Sequence, residues 1–420
     1  MRKVLFMLLV SILIIGITAA GCGNGESPGT ATPTQTQTPL PSPTPVATLT
    51  PTATPDGSPG VEWENTFGGS GDERGMSVKQ TSDGGYIIAG WTQSYGAGEY
   101  DCWLIKTDGA GEEQWSNTFG GPDNDVAWAV QQTSDGGYIV GGWTWSYGAG
   151  EGDFWLVKTD ENGEEEWSNT FGGVASDEAH SVQQTSDGGY ILAGVTRSYG
   201  SGGGDFWLVK TDENGEEEWN NTFGGFGGEI AFSVRQTSDG GYVLVGWMES
   251  DDEGMGDSLL VKADEMGDQE WSMAFSGAAF DVGRSVQQTS DGGYIFAGHT
   301  ESYSAREYDY WLVKVDELGN GEWNKAFGGT DYEEAYFVQQ TSDDGYIIAG
   351  KTKSFGEGGY DFWLVKTDEE GNKEWSKTLG DFREDVANSV QQTSDGGYIV
   401  VGWTESQGAG KKDCWVVKLK

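Results

Sequence analysis

The chain has 420 residues and carries 24 Lys and Arg against 67 Asp and Glu, a formal charge of -43. A polyanion of that size repels phosphate backbones, which excludes nucleic acid as a partner. Two histidines, His180 and His299, and three cysteines offer no His/Cys zinc site and no redox pair by spacing, so neither a metal nor a cofactor is expected.

Met1-Arg2-Lys3 is a short basic stretch, and Val4 to Ala20 is an apolar run of 17 residues. It ends in Ala19-Ala20-Gly21-Cys22. Small residues directly before a cysteine resemble the lipobox of prokaryotic lipoproteins, although Ala stands where Leu is commonest. The resemblance implies a signal peptide over 1–21, cleaved before Cys22, and lipid on Cys22. The alternative is an uncleaved membrane anchor. Both readings place the rest of the chain outside the cytoplasm, anchored at the cell surface.

Residues 23–60 hold nine of the ten prolines, ten threonines and no Lys or Arg. Such a segment buries no core and favours extended polyproline geometry. Fully extended, it would reach on the order of 120 Å at about 3.1 Å per residue. Residues 22–60 therefore read as a lipidated Cys and a Thr/Pro-rich stalk, a composition that also suits O-glycosylation.

From Val61 onward one unit recurs. Trp63, Trp115, Trp167, Trp219, Trp271, Trp323 and Trp375 are spaced by 52 residues every time. Repeats of about this period signal propellers, solenoids or arrays. Each unit predicts four strands, clearest between Trp167 and Trp219. The first runs from Ser181 to Thr185 and turns at Asp187-Gly188-Gly189, where Gly supplies positive φ. The second spans Tyr190 to Thr196, and a Gly-rich loop leads to the third, Asp205 to Asp212. Glu213-Asn214-Gly215 turns the chain into the fourth, Glu216 to Phe223. No segment has a 3.6-residue apolar period, so the fold class is all-β.

Seven equal four-stranded units predict a seven-bladed β-propeller over 61–420. The repeats begin with a fourth strand (VEWENTFGG) and end after a third (DCWVVKLK), so the N-terminal strand is expected to complete the last blade. The alternation of GGYILAG, DFWLVKTDENG and EEEW resembles the repeats of kelch-type and PQQ-type (quinoprotein-like) propellers. It most resembles the TSDGGYIIAG repeats of uncharacterised secreted microbial proteins. The kelch double glycine stands only at Gly141-Gly142, and the vicinal cysteine pair of the quinoprotein cofactor site is missing. The resemblance implies fold far more than function.

Seven copies allow an internal comparison. Fixed in all blades are Asp101, Asp153, Asp205, Asp257, Asp309, Asp361 and Asp413 at the start of the third strand. An acid also recurs just before the first strand, as Glu73, Asp125, Asp177, Glu229, Asp281, Glu333 and Asp385. These carboxylates could form a cation rim, but a group repeated in every blade is expected to accept backbone N–H bonds in its own loop. Asp160-Glu161-Asn162-Gly163 hints at an EF-hand, but its Gly is fourth rather than sixth. The loops such as Gly148-Ala149-Gly150 open no helix and so cradle no phosphate.

The variable columns point to a site. At the residue opening the first strand, the blades carry Met76, Trp128, His180, Phe232, Arg284, Tyr336 and Asn388, with no residue used twice. If the first strand is innermost, this ring surrounds the mouth of a central channel. A second column, near the end of the second strand, carries Trp91, Trp143, Val195, Trp247, His299, Lys351 and Trp403. Aromatic platforms with a few cations suit a glycan or a peptide or protein ligand. The leading expectation is a monomeric binding module without catalytic residues, because catalysis needs unlike groups in unlike environments. Two alternatives stand beside it. One is a glycoside hydrolase or lyase using Glu178, Glu333 or Glu334 with His180 or Tyr336; the other is a structural, acidic surface protein. Blade four breaks the pattern between Glu249 and Leu259, but it adds acids without a base.

Overall fold

The computed structural model describes residues 57–250, 256–304 and 306–420, with the backbone of Gln35–Thr36. The expected signal peptide, Cys22 and the stalk to residue 56 otherwise lie outside the described residues, as does the centre of the blade-four irregularity. The described residues form seven sheets of four antiparallel strands in a ring, with no helix among them. Gln35–Thr36 runs parallel to the outer strand of blade four.

Blade three shows the plan: Asp177–Gln184, Tyr190–Thr196, Asp205–Thr211 and Glu217–Phe223, in that order across the sheet. The first strands of successive blades abut one another around the ring and are innermost; the fourth strands form the rim. Blade seven takes Asp385–Gln392, Tyr398–Thr404 and Asp413–Leu419 from the C-terminus. Its fourth strand is Val61–Phe67, antiparallel to Asp413–Leu419 with Val61 opposite Leu419 and Phe67 opposite Cys414.

The core lies between blades rather than within them. Ile139, Phe154 and Leu156 of blade two pack on Val182, Leu192 and Trp207 of blade three, and the other junctions follow suit. The repeated tryptophans stitch these seams. Trp167, on the outer strand of blade two, packs 5.8 Å from the Tyr190 ring of blade three. Two residues on, Asn169 donates to the Gly215 carbonyl in the next hairpin at 2.9 Å. Trp63 and Asn65 make the same contacts from blade seven to Tyr86 and Gly111 of blade one.

The first strand differs from its sequence-based reading. It begins four residues earlier, at Asp177 rather than Ser181, because a β-bulge interrupts it between Ala179 and Ser181. A bulge adds one residue and reverses the in-out alternation beyond it, which conceals the strand from a period-2 reading. Every blade carries this bulge at the same place. Opposite it the second strand always has Gly (Gly194 in blade three). A Cβ there would stand 1.9 Å from the Glu178 carbonyl oxygen, so the bulge demands glycine.

Cys102 and Cys414 are both buried and free. Burial, then nearby carboxylates, pushes both thiols far above their ordinary range. A thiol reagent should therefore find neither in the native fold and both after unfolding without reductant. A third would appear if Cys22 carries no lipid, and a disulfide-bonded pair would contradict the blade register.

Candidate functional site

The seven variable residues of the first column are the bulge residues themselves. Each is the unpaired extra residue of its inner strand, so its side chain is re-aimed into the channel. All seven line one cavity of about 420 Å³ at the channel mouth, within the size range of small-ligand pockets.

Five of them form a continuous arc. Trp128 meets His180 edge-on at 5.4 Å, and His180 stacks on Phe232 at 5.4 Å. The Arg284 guanidinium lies 4.1 Å from the Phe232 ring centre and 6.0 Å from that of Tyr336. Tyr336 donates to Glu334 at 2.8 Å, and Glu334 pairs with Lys351 at 3.0 Å. His180 Nδ1 sits 2.9 Å from the Ala231 carbonyl, and burial lowers the pKa of its ring, which favours the neutral form. The other side of the mouth is smaller: Asn388 donates to the Gly75 carbonyl at 2.8 Å and touches Met76.

The second column divides. Lys351 and Trp403 line the cavity. Trp91, Trp143 and His299 do not; each packs against an aromatic residue of the following loop. Trp91 packs against Tyr100 at 4.6 Å, Trp143 against Trp145 at 6.0 Å, and His299 against Tyr308 at 5.1 Å. His299 is only 4% exposed, and burial brings its ring down to about 3.

Three lining cations escape the sequence reading: Arg74, Lys79 and Arg235. Arg74 sits between Trp403 and Trp91, at 4.8 and 5.1 Å from their ring centres. Lys79 and Arg235 replace the Gln that five blades carry at the same place in the inner strand. That departure was the available signal. Among the described residues lining the mouth there are five cations and no Asp or Glu. The Nε1 of Trp128 and the Nε of both Arg74 and Arg284 are buried without a hydrogen-bond partner. A protein of net charge -43 thus keeps a donor-rich, carboxylate-free pocket at its axis.

The repeated carboxylates serve the blades. Each first-strand acid accepts a backbone N–H from the residue four positions earlier, as Asp177 does from Gly173 at 2.9 Å. In five blades the third-strand acid holds its own glycine-rich loop, as Asp205 does with Ser201 N–H at 2.9 Å. The two meet at the junctions: a Cβ on Gly172 would come within 3 Å of both Asp153 and Asp177. Glu333, a candidate acid for hydrolysis, is spent this way on Gly329, Thr352 and Ser354. Glu178 instead pairs with Arg197 at 2.8 Å and lies 4.0 Å from His180 Nε2.

No family model and no curated protein matches the chain. Among solved structures it is similar to the Neurospora crassa Pan2 WD40 domain, at 13% identity and a TM-score of 0.49, with 81% of this chain and 88% of that chain covered. Sqt1 from Chaetomium thermophilum matches at 11% identity and a TM-score of 0.46, over 80% of this chain and 83% of that one. Drosophila Plexin A in complex with Semaphorin 1b matches at 8% identity and 0.46, over 86% and 87%. These likenesses concern the propeller fold alone.

Proposed function

We propose that this protein is a non-catalytic binding module whose channel mouth takes a carboxylate-bearing group, from an acidic glycan or an acidic protein side chain. The observation that carries this reading is the pocket lining. Aromatic faces, Arg74 and Arg284 converge there without a lining carboxylate, Lys351 being already paired with Glu334, and several buried N–H donors lack an acceptor. A ligand carboxylate supplies what those donors need, and buried aromatics with Arg carry most of the affinity in such sites.

The proposal includes a setting. Cys22 carries lipid, and the Thr/Pro stalk holds a kelch-like or quinoprotein-like propeller away from the cell surface. The support is the Ala19-Ala20-Gly21-Cys22 ending and the composition of 23–60. Mass spectrometry of the membrane-extracted chain should find a lipidated Cys22 as its first residue; an intact N-terminus would refute cleavage.

Arrays of acidic glycans and acidic peptides should show binding that neutral analogues lack. Replacing Trp128 and Arg284 together by Ala should weaken that binding by roughly 2 kcal/mol for each residue. The melting temperature should barely move, since both side chains stand in the channel rather than between blades. Equal binding of neutral and acidic probes would sink the reading, and a matched loss of stability would make these residues packing.

A further inference from the structure

Below the mouth the channel continues into a second cavity of about 680 Å³, and the two share Lys79, Val130, Val182 and Arg235. This shared level is the waist of the channel. The inner strands around it are held together by side chains of the preceding blade rather than by a β-ladder. Gln183 accepts the Gln236 N–H at 2.8 Å, and Ser181 the Val234 N–H at 3.3 Å. The same glutamine bond links blades two to three, five to six, six to seven and seven to one.

Two links differ. Blades one and four carry Lys79 and Arg235 in the glutamine column. Neither side chain has an acceptor to offer, so the N–H groups of Gln132 and Gln288 lack the bond their counterparts make. Arg235 donates to the Val234 carbonyl at 2.7 Å and reaches Ser181 at 3.4 Å. The Lys79 ammonium lies 5.0 Å from the Phe337 ring centre. No Asp or Glu is among the described residues lining either cavity. Two cations thus stand in one confined channel with no carboxylate to offset them, where a third anionic partner is the missing charge. Burial, then the charge of Arg235, brings the Lys79 ammonium down to about 7, as expected of a cation without a counterion.

We propose that the waist binds a small inorganic oxyanion, phosphate or sulfate, between Lys79 and Arg235, with the free N–H group of Gln132, which lines the lower cavity, as a further donor. This site lies at the inner end of the mouth pocket, which shares Lys79 and Arg235 with the lower cavity, and it uses none of the arc residues.

The test uses the whole chain and a variant that the repeat itself supplies. Lys79→Gln with Arg235→Gln completes the ring of seven glutamines, so it replaces charge with the side chain already accepted at five blades. Melting is followed in chloride, sulfate and phosphate at matched ionic strength, and phosphate affinity is measured by calorimetry. The wild type should melt several degrees higher in phosphate or sulfate than in chloride. The double variant should lose that response, bind phosphate at least tenfold more weakly, and melt higher than wild type in chloride. Equal melting of the wild type in all three salts overturns the proposal. So does an oxyanion response that survives in the double variant but vanishes when Trp128 and Arg284 are replaced, which would assign the anion to the mouth.

Discussion

Deleting residues 61–69 should abolish the cooperative melting of the ring and lower its melting temperature by more than about ten degrees. Blade seven would keep three strands, and the edge of Asp413–Leu419 would lose its ladder partner. The seam to blade one would fail as well, because Trp63 and Asn65 reach across to Tyr86 and Gly111. Trp63 and Phe67 are both half-buried and contribute ~1–3 kcal/mol each through apolar burial. Gly69 N–H also holds Glu73 at 2.9 Å, at the start of the first inner strand. A closed ring has no end from which to fray, so opening one seam weakens every blade next to it. An open strand edge also invites pairing between chains, so the shortened protein should self-associate as it warms. Calorimetry and light scattering read both effects. If the shortened chain melts within about two degrees of the intact one, Val61–Phe67 does not close the ring.

The blade count and strand order were legible because every blade repeats its contacts at an interval of 52 residues. The tryptophans recur since each must reach the hairpin of the next blade, and the Gly opposite the bulge recurs since no Cβ fits there. The mouth was legible for the opposite reason. A bulge residue is released from the ladder and faces open space, so blade packing places no demand on it and its identity drifts or specialises. Position along a strand could not reveal which second-column residues reach the pocket. Trp91 and His299 pack against Tyr100 and Tyr308, yet in blade six Lys351 lies 4.4 Å from the ring centre of Tyr360, at the same loop position, and still lines the cavity. The cations at the waist were hidden by chemistry. Lys or Arg on a strand reads as a solvated face, and only closure of the ring turns that face into a channel wall.

Blade four offers the sharpest test of the junction carboxylates. Six blades place a Thr on the second strand beside the first-strand acid, as Thr196 lies 2.5 Å from Asp177. In blade four that position is Met248, and one oxygen of Glu229 is buried without a partner. Burial, with the charges of Asp205 and Glu249, raises the Glu229 carboxyl to about 7. Its pKa is thus higher in the folded than in the unfolded chain. The stability it contributes is fully present below about pH 4.5 and is lost as pH rises through 7. Met248→Thr should restore the missing hydroxyl and bring Glu229 back toward its ordinary range. The variant gives up some apolar packing around Met248, so it should melt below wild type at pH 4. The deficit should shrink or reverse by pH 8, a swing of roughly 1–3 kcal/mol. His299, held near 3, and Lys79, near 7, titrate alike in both proteins and cancel in the difference. Parallel stability curves for the two proteins between pH 4 and 8 would show that the added hydroxyl leaves the titration of Glu229 unchanged, and that the threonine column is packing rather than the hydrogen-bond donor it is to five of these acids.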